Sequence, residues 1–364
     1  GSFAILIDSR SYPARETTEP QNDRVMRGPR DGFVETLISN TALIRRRIRD
    51  TSLTMQYVSV GSESKTDVVL CYMADRADEA YVKKLKERLS SLEVSALTMG
   101  HQSLAESLIK TRWYNPFPKI RITERPDVAA SQIYEGSVIL LIDTSPQAMI
   151  LPTSIFDFLQ ETNDFYFPPL TGSYVRAVRH IIFWLTLFLI PVWYLLTKYP
   201  EQTPQFLEFA LPKEAGLVPI LAQLLIVEFV VDGLKMASMN TPDMLSNSLS
   251  VVGALLLGDF AVGVGWLSED VILYMAFIAI ASFAGQNAEL GYALKFVRIL
   301  TLVFVFGFGA WGLLLGGALF VLLVATNTTV TGRMHYLYPL IPFDFSALRR
   351  LAFRLKKRDG QNVG

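Results

Sequence analysis

Residues 180–199 read HIIFWLTLFLIPVWYLLTKY. At 1.5 Å per residue this stretch is about 30 Å long, the thickness of a bilayer's hydrocarbon core. Trp184, Trp193, Tyr194 and Tyr199 suit its two interfaces, and Pro191 predicts a kink. Apolar stretches recur at 217–233, 250–267, 271–288 and 296–326, whereas charged residues crowd 1–180 and 344–364. The chain therefore divides into an α/β cytoplasmic domain with a mixed sheet and, after it, an all-α multi-span membrane domain. The expected boundaries are a linker at 166–179, a membrane domain at 180–333 and a basic cytoplasmic tail at 334–364.

Charge sets the sidedness of the spans. Arg176 and Arg179 precede the first span, which puts the soluble part on the cytoplasmic side. Residues 201–214 carry three Glu and one Lys and fit the outside. Lys235 follows the second span, Glu269 and Asp270 the third, and Lys295 and Arg298 the fourth. Residues 296–326 are too long for one ordinary span, and Gly307, Gly309, Gly312, Gly316 and Gly317 cluster at their centre. Arg333 and the tail from Arg349 to Arg358 are basic. Both ends inside require an even number of crossings, so 296–326 reads as a Gly-rich hairpin, re-entrant or of two short passes. One long tilted helix with an external tail is the alternative, and the count is five or six spans.

Polar residues within the spans fall on faces. Asp259 lies near the middle of an apolar run, where a carboxylate costs about 2.5–3.5 kcal/mol and calls for water or a partner. Glu228, Asp232 and Lys235 are spaced i, i+4, i+7; Ser282, Gln286 and Glu289 share that spacing. Asp259, Glu228, Asp232, Gln286 and Glu289 are the candidates for a pore or vestibule. For Glu228, Asp232 and Glu289 an interfacial or ion-paired role stands equally open. Ser250, Ala254, Gly258, Ala261 and Gly265 form a small-residue stripe that allows close helix packing.

In the soluble half, residues 1–8 (GSFAILID) and 136–143 (GSVILLID) repeat one strand pattern. Each is a continuous apolar run, as expected for a strand covered on both faces. Duplication makes 1–60 the remnant of a first α/β subdomain with its connecting helix, the first copy being truncated, and 61–165 the second subdomain. Helices are expected at 31–48, 78–92 and 102–110, and strands at 68–72, 94–99, 138–142 and 148–151. Residues 157–159 are expected to end a last helix.

No catalytic, cofactor-binding or metal site is read from the residues. Residues 61–66 (GSESKT) imitate a phosphate loop but lack the required glycines, and a strand follows where a helix is needed. His101, His180 and His335 are too scattered for a metal set. Cys71, the single cysteine, reads as a small apolar filler in a buried strand. Lys plus Arg and Asp plus Glu both number 34, so net charge gives no sign of nucleic acid as a partner.

Two blocks carry a resemblance. Arg27-Gly28-Pro29-Arg30-Asp31-Gly32-Phe33, with Glu35, Asn40 and residues 43–48 behind it, and Thr123-Glu124-Arg125-Pro126-Asp127 look like blocks of the A-subunit family of bacterial spore germinant receptors. Glu135-Gly136, Asp143, Ser145-Pro146, residues 164–166, Arg176, Arg179, Tyr338-Pro339 and Pro342 continue the match in the family's order. The resemblance implies a homo-oligomeric ring, with a pentamer as the suggested arrangement, that releases cations passively during germination. It implies the bacterial cell membrane or spore inner membrane as the location, with the soluble domain facing the cytoplasm or spore core. Other small membrane proteins of the spore and germinant receptor complexes are the implied partners, besides the bilayer itself. In such a ring, carboxylates around the axis favour cations. A secondary transporter and a membrane-anchored assembly or scaffold subunit without its own pore are the rival readings.

Overall fold

The structure is a computed structural model that describes residues 15–20, 23–109, 112–212, 217–240, 261–284, 287–327, 329–330 and 336–353. The expected strand copy at 1–8 and the tail beyond 353 lie outside these residues. The chain forms two compact units. One draws on residues up to Arg112, on Lys119–Asp157 and on a segment ending at Tyr336. The other comprises Trp113–Pro118, Phe158–Asn327 and the residues from Leu337 on.

In the first unit, β1 (Leu53–Val60), β2 (Thr66–Met73), β3 (Arg121–Thr123), β4 (Val138–Ile142) and β5 (Ala148–Leu151) make one sheet in the order β1-β2-β4-β5-β3. Every pairing is antiparallel, so the expectation of a mixed sheet is corrected. For β1–β2 and β4–β5 the physical reason is connection length. Residues 61–65 and 143–147 are too few for a parallel crossover, which needs a dozen or more. The phosphate-loop look-alike is the β1–β2 hairpin turn, where Lys65 N–H donates to the Gly61 carbonyl at 3.2 Å. β1 was not anticipated. It pairs along its whole length with β2, so the expected subdomain boundary at residue 60 falls between two strands of one sheet.

The apolar runs of β2 and β4 alternate between two cores. Val68, Leu70, Tyr72, Leu140 and Ile142 pack with Tyr81, Val82, Leu85 and Leu89 of α2 (Glu79–Ser90) and with Leu104 and Leu108 of α3 (His101–Leu108). Val69, Cys71, Met73, Ile139 and Leu141 pack with Leu37 and Ile44 of α1 (Leu37–Arg47) and with Ala129 and Ile133 of α4 (Pro126–Tyr134). Helices thus cover both sheet faces, which is why neither strand shows an apolar–polar alternation. The expected strand at 94–99 is a loop whose Val94 and Ser95 carbonyls accept from Ser62 and Glu63 N–H, each at 2.9 Å. The end of the expected helix at 157–159 is a 3-10 turn, Ile155–Leu159.

Cys71 sits fully buried in this core, and burial pushes its thiol pKa up to about 12. The thiolate is the reactive species. Native protein at pH 8 is therefore expected to leave a thiol reagent such as dithionitrobenzoate unreacted, and denatured protein to release one equivalent. Rapid reaction of the native protein would contradict this packing.

The two motif blocks meet at the edge of the α1–α4 layer. Arg125 is fully buried and donates to both carboxylate oxygens of Asp127, at 3.1 and 2.9 Å, and to the carbonyls of Asp23 (3.3 Å) and Pro29 (2.9 Å). Phe33 N–H donates to the Glu124 carbonyl at 2.8 Å. Thr123 Oγ1 donates to the Asp23 carboxylate at 2.8 Å, and burial holds that carboxyl above its usual range. Asn40 clamps the backbone of Val34 from both sides, at 2.8 and 2.6 Å. Arg27 and Gly28 stay on an exposed loop. These residues hold the segment before α1 onto the sheet layer.

The second unit is helical. It contains α5 (Thr162–Tyr166), α6 (Pro169–Lys198), α7 (Ile220–Asn240), α8 (Glu269–Ala284), α9 (Ala288–Phe308), α10 (Ala310–Ala325) and α11 (Phe345–Ala352). Among the described residues, α6 and α9 are long and apolar enough to cross a membrane, and α10 is a shorter apolar helix. The stretch 296–326 is a hairpin, and the single long helix is corrected. Gly309, at φ +60°, ends α9 and begins α10. That left-handed conformation favours glycine. The two helices then run back along each other so closely that a Cβ at Gly316 would meet the Thr301 side chain. The segment Trp113–Pro118 belongs to this unit: Asn115 Nδ2 donates to the Leu323 carbonyl at 2.8 Å, and Phe117 packs edge-on against Phe320 at 5.8 Å.

Candidate functional site

Polar chemistry in the helical unit concentrates where α6, α7 and α9 meet. On α7, Glu228 and Asp232 are one turn apart and share a face. On α9, Lys295 and Arg298 are i, i+3 and face them. Arg298 Nε donates to Glu228 Oε1 at 2.9 Å, and its Nη2 donates to the same oxygen. Lys295 Nζ lies 3.0 Å from Glu228 Oε2 and also pairs with Asp232. Arg298 Nη1 donates to the Thr186 carbonyl on α6 at 2.8 Å. Glu228 and Arg298 are buried, at 7 % and 4 % exposure. Two carboxylates and two cations balance, so the cluster carries no net charge.

Within one copy of the chain Glu228 and Asp232 are ion-paired, one of the two roles the sequence leaves open for them. Their partners were legible only as charges that mark sidedness. The sign that could have found the pairing is the i, i+3 spacing of Lys295 and Arg298 opposite the i, i+4 carboxylates. Beside the cluster is a cavity of about 50 Å³, lined by Thr186, Met275, Ile278, Ser282 and Tyr292 with the charged groups. That volume is room for water rather than for an organic ligand. Lys235 lies over the Tyr292 ring, 5.1 Å from its centroid.

The other expected residues disperse. Glu289 is exposed in the first turn of α9, where a carboxylate suits the helix dipole, and Asn287 caps that turn by accepting from Leu290 N–H at 2.7 Å. Ser282 Oγ donates to the Ala279 carbonyl at 2.7 Å. Asp259, Gln286, Ser250, Ala254 and Gly258 lie outside the described residues. Ala261 packs on the core built from Ile190, Trp193 and Val271. Gly265 sits at φ +79° in the turn before α8, where its carbonyl accepts from Leu217 N–H at 3.2 Å.

A second charged cluster, missed as a unit from the sequence, anchors the start of α6. Asp164 is fully buried and accepts from Arg179 Nη1 at 2.6 Å and Nη2 at 3.1 Å. Arg176 Nε is 3.5 Å from Asp164, and Arg179 Nη2 reaches Glu161 at 2.8 Å. Arg176 and Arg179 thus fix the geometry at the head of α6. Among the described residues no group of His, Cys, Asp and Glu is arranged to hold a metal.

The chain is similar to proteins of sporulation and spore germination. Stage V sporulation protein AF of Bacillus subtilis (strain 168) is 38% identical over 98% of this chain and 71% of its own length. Spore germination protein KA of the same organism is 28% identical over 97% of this chain and 64% of its own length. The crystal structure of the N-terminal domain of the A subunit of the Bacillus megaterium spore germinant receptor GerK3 is 34% identical, covering 33% of this chain and 94% of that one, with a TM-score of 0.27. Residues 2–362 match the family described as Bacillus/Clostridium GerA spore germination protein, and the chain belongs to that family.

Proposed function

We propose that the chain is a subunit of an oligomeric, passive ion channel that contributes cation release during spore germination. It sits in the spore inner membrane, with its soluble unit on the core side. The observation that carries this reading is the contrast between two sets of acids. Glu228 and Asp232 are neutralised within the bundle. Asp259 lies in the run 250–267, which contains no Lys, Arg or His. An acid at that depth needs water or a partner from outside its own segment. A ring of copies around a wet axis supplies the water, and a ring of carboxylates selects for cations.

Internal pairing of Glu228 and Asp232 also favours the scaffold reading, in which the helices only dock partners. One experiment separates the two. The mass of the purified protein in detergent is measured, then cation flux across vesicles for the wild type and Asp259→Asn. The channel predicts several copies per particle and a non-saturating, voltage-driven flux that the substitution alters. A monomer without flux, or flux indifferent to Asp259→Asn, overturns the assignment.

A further inference from the structure

The short helix α11 is built like a surface-seeking element. Asp344 caps its first turn, with Ala347 N–H donating to Oδ1 at 3.0 Å and the Tyr338 hydroxyl donating to Oδ2 at 2.9 Å. Arg349 and Arg350 occupy its last turn, where cations suit the dipole. Leu351 turns inward and is buried. Outward face Ile341, Phe343, Phe345 and Phe353, which are 51–69 % exposed. Four large apolar groups beside exposed arginines are costly to leave in water.

The helix has a fixed depth. Arg176 Nη1 donates to the Arg350 carbonyl at 2.8 Å and to the Leu351 carbonyl at 3.5 Å. Arg176 precedes residue 180, where the apolar span begins, by four residues of the same helix, or about 6 Å along its axis. The end of α11 is therefore held at the level of the headgroups. We propose that α11 and the residues just before it lie in the bilayer interface, with the phenylalanines inserted and the arginines on anionic headgroups. The leaflet is the one at the start of α6. Charge complementarity selects the occupant: Arg349 and Arg350 are followed in the sequence by Arg354, Lys356, Lys357 and Arg358. An apolar face with a basic flank is the composition of interfacial helices.

The test uses the full chain in vesicles of phosphatidylcholine, with and without phosphatidylglycerol. An environment-sensitive fluorophore (NBD) is placed at Phe345→Cys or at Phe353→Cys, in a Cys71→Ala background. Met26→Cys, on the exposed loop of the first unit, is the control. The expected result is blue-shifted emission at 345 and 353, quenching by lipids spin-labelled near the headgroup, and loss of iodide quenching relative to position 26. Phosphatidylglycerol should strengthen the effect. Arg349→Gln should cut the docked-to-undocked ratio about fivefold at low salt, the equivalent of one surface cation. Iodide quenching equal to the control overturns the proposal. So does protection from iodide without quenching by labelled lipid, because the face is then covered by protein, whether a second copy or another partner.

Discussion

Glu228→Ala is expected to destabilise the helical unit by about 3–5 kcal/mol, the cost of removing one partner from a buried ion pair. Among the described residues Arg298 would keep the Thr186 carbonyl for its guanidinium, at 4 % exposure. Lys295 would keep Asp232 and so would not compensate for the loss at Arg298. Thermal unfolding in detergent should show the loss as a large downward shift. The double variant Glu228→Leu with Arg298→Met removes both charges and should recover most of the stability, because a well-packed apolar pair is often as stable as a buried ion pair. Asp232→Asn should cost far less, at most about 1 kcal/mol, since its side chain is about one-third exposed. A Glu228→Ala protein that melts with the wild type would refute the pairing. The cluster would then be free to face an axis, as the sequence had left open.

Asp164→Ala should have an effect of the same size, about 3–5 kcal/mol, read at a different place. Its carboxylate is fully buried between Arg176 and Arg179. Removing it deprives the two guanidinium groups of their shared carboxylate; Arg179 retains Glu161 and the Leu159 carbonyl, and Arg176 the Arg350 carbonyl. The head of α6 should loosen, and limited proteolysis should cut the segment around 159–169 many times faster than in the wild type. Asp164→Asn keeps the shape and one acceptor oxygen, and should fall between the two. Equal cleavage rates in all three proteins would show that Asp164 does not organise this junction. The same experiment bears on α11, because Arg176 also donates to the Arg350 carbonyl of that helix.

Strand placement shows what was readable in the soluble unit and why the rest was not. The continuous apolar runs 68–72, 138–142 and 148–151 are long enough to name themselves, and β2, β4 and β5 stand where they were expected. β1 (LTMQYVSV) mixes polar and apolar side chains because it is an edge strand, and β3 has only three residues. Neither has a period that separates it from a loop. Strand direction is not written in composition at all. For β1–β2 and β4–β5 it follows from connections too short for a parallel crossover, and for β2–β4 and β3–β5 from how the elements pack.

In the helical unit, hydropathy placed the apolar stretches 180–199, 217–233, 271–288 and 296–326 on which described helices stand, and the clustered glycines favoured a turn within 296–326 over one long helix. The reason is that length against bilayer thickness, and backbone freedom at Gly309, are local properties of the chain. The motif blocks also carried the family. Only the tertiary structure decided what the charged residues do. Glu228 with Arg298 are 70 positions apart, and Asp164 with Arg179 are 15 apart. Whether such groups face water or one another depends on which helix faces meet, and that is set by packing between elements rather than by any property of a single segment.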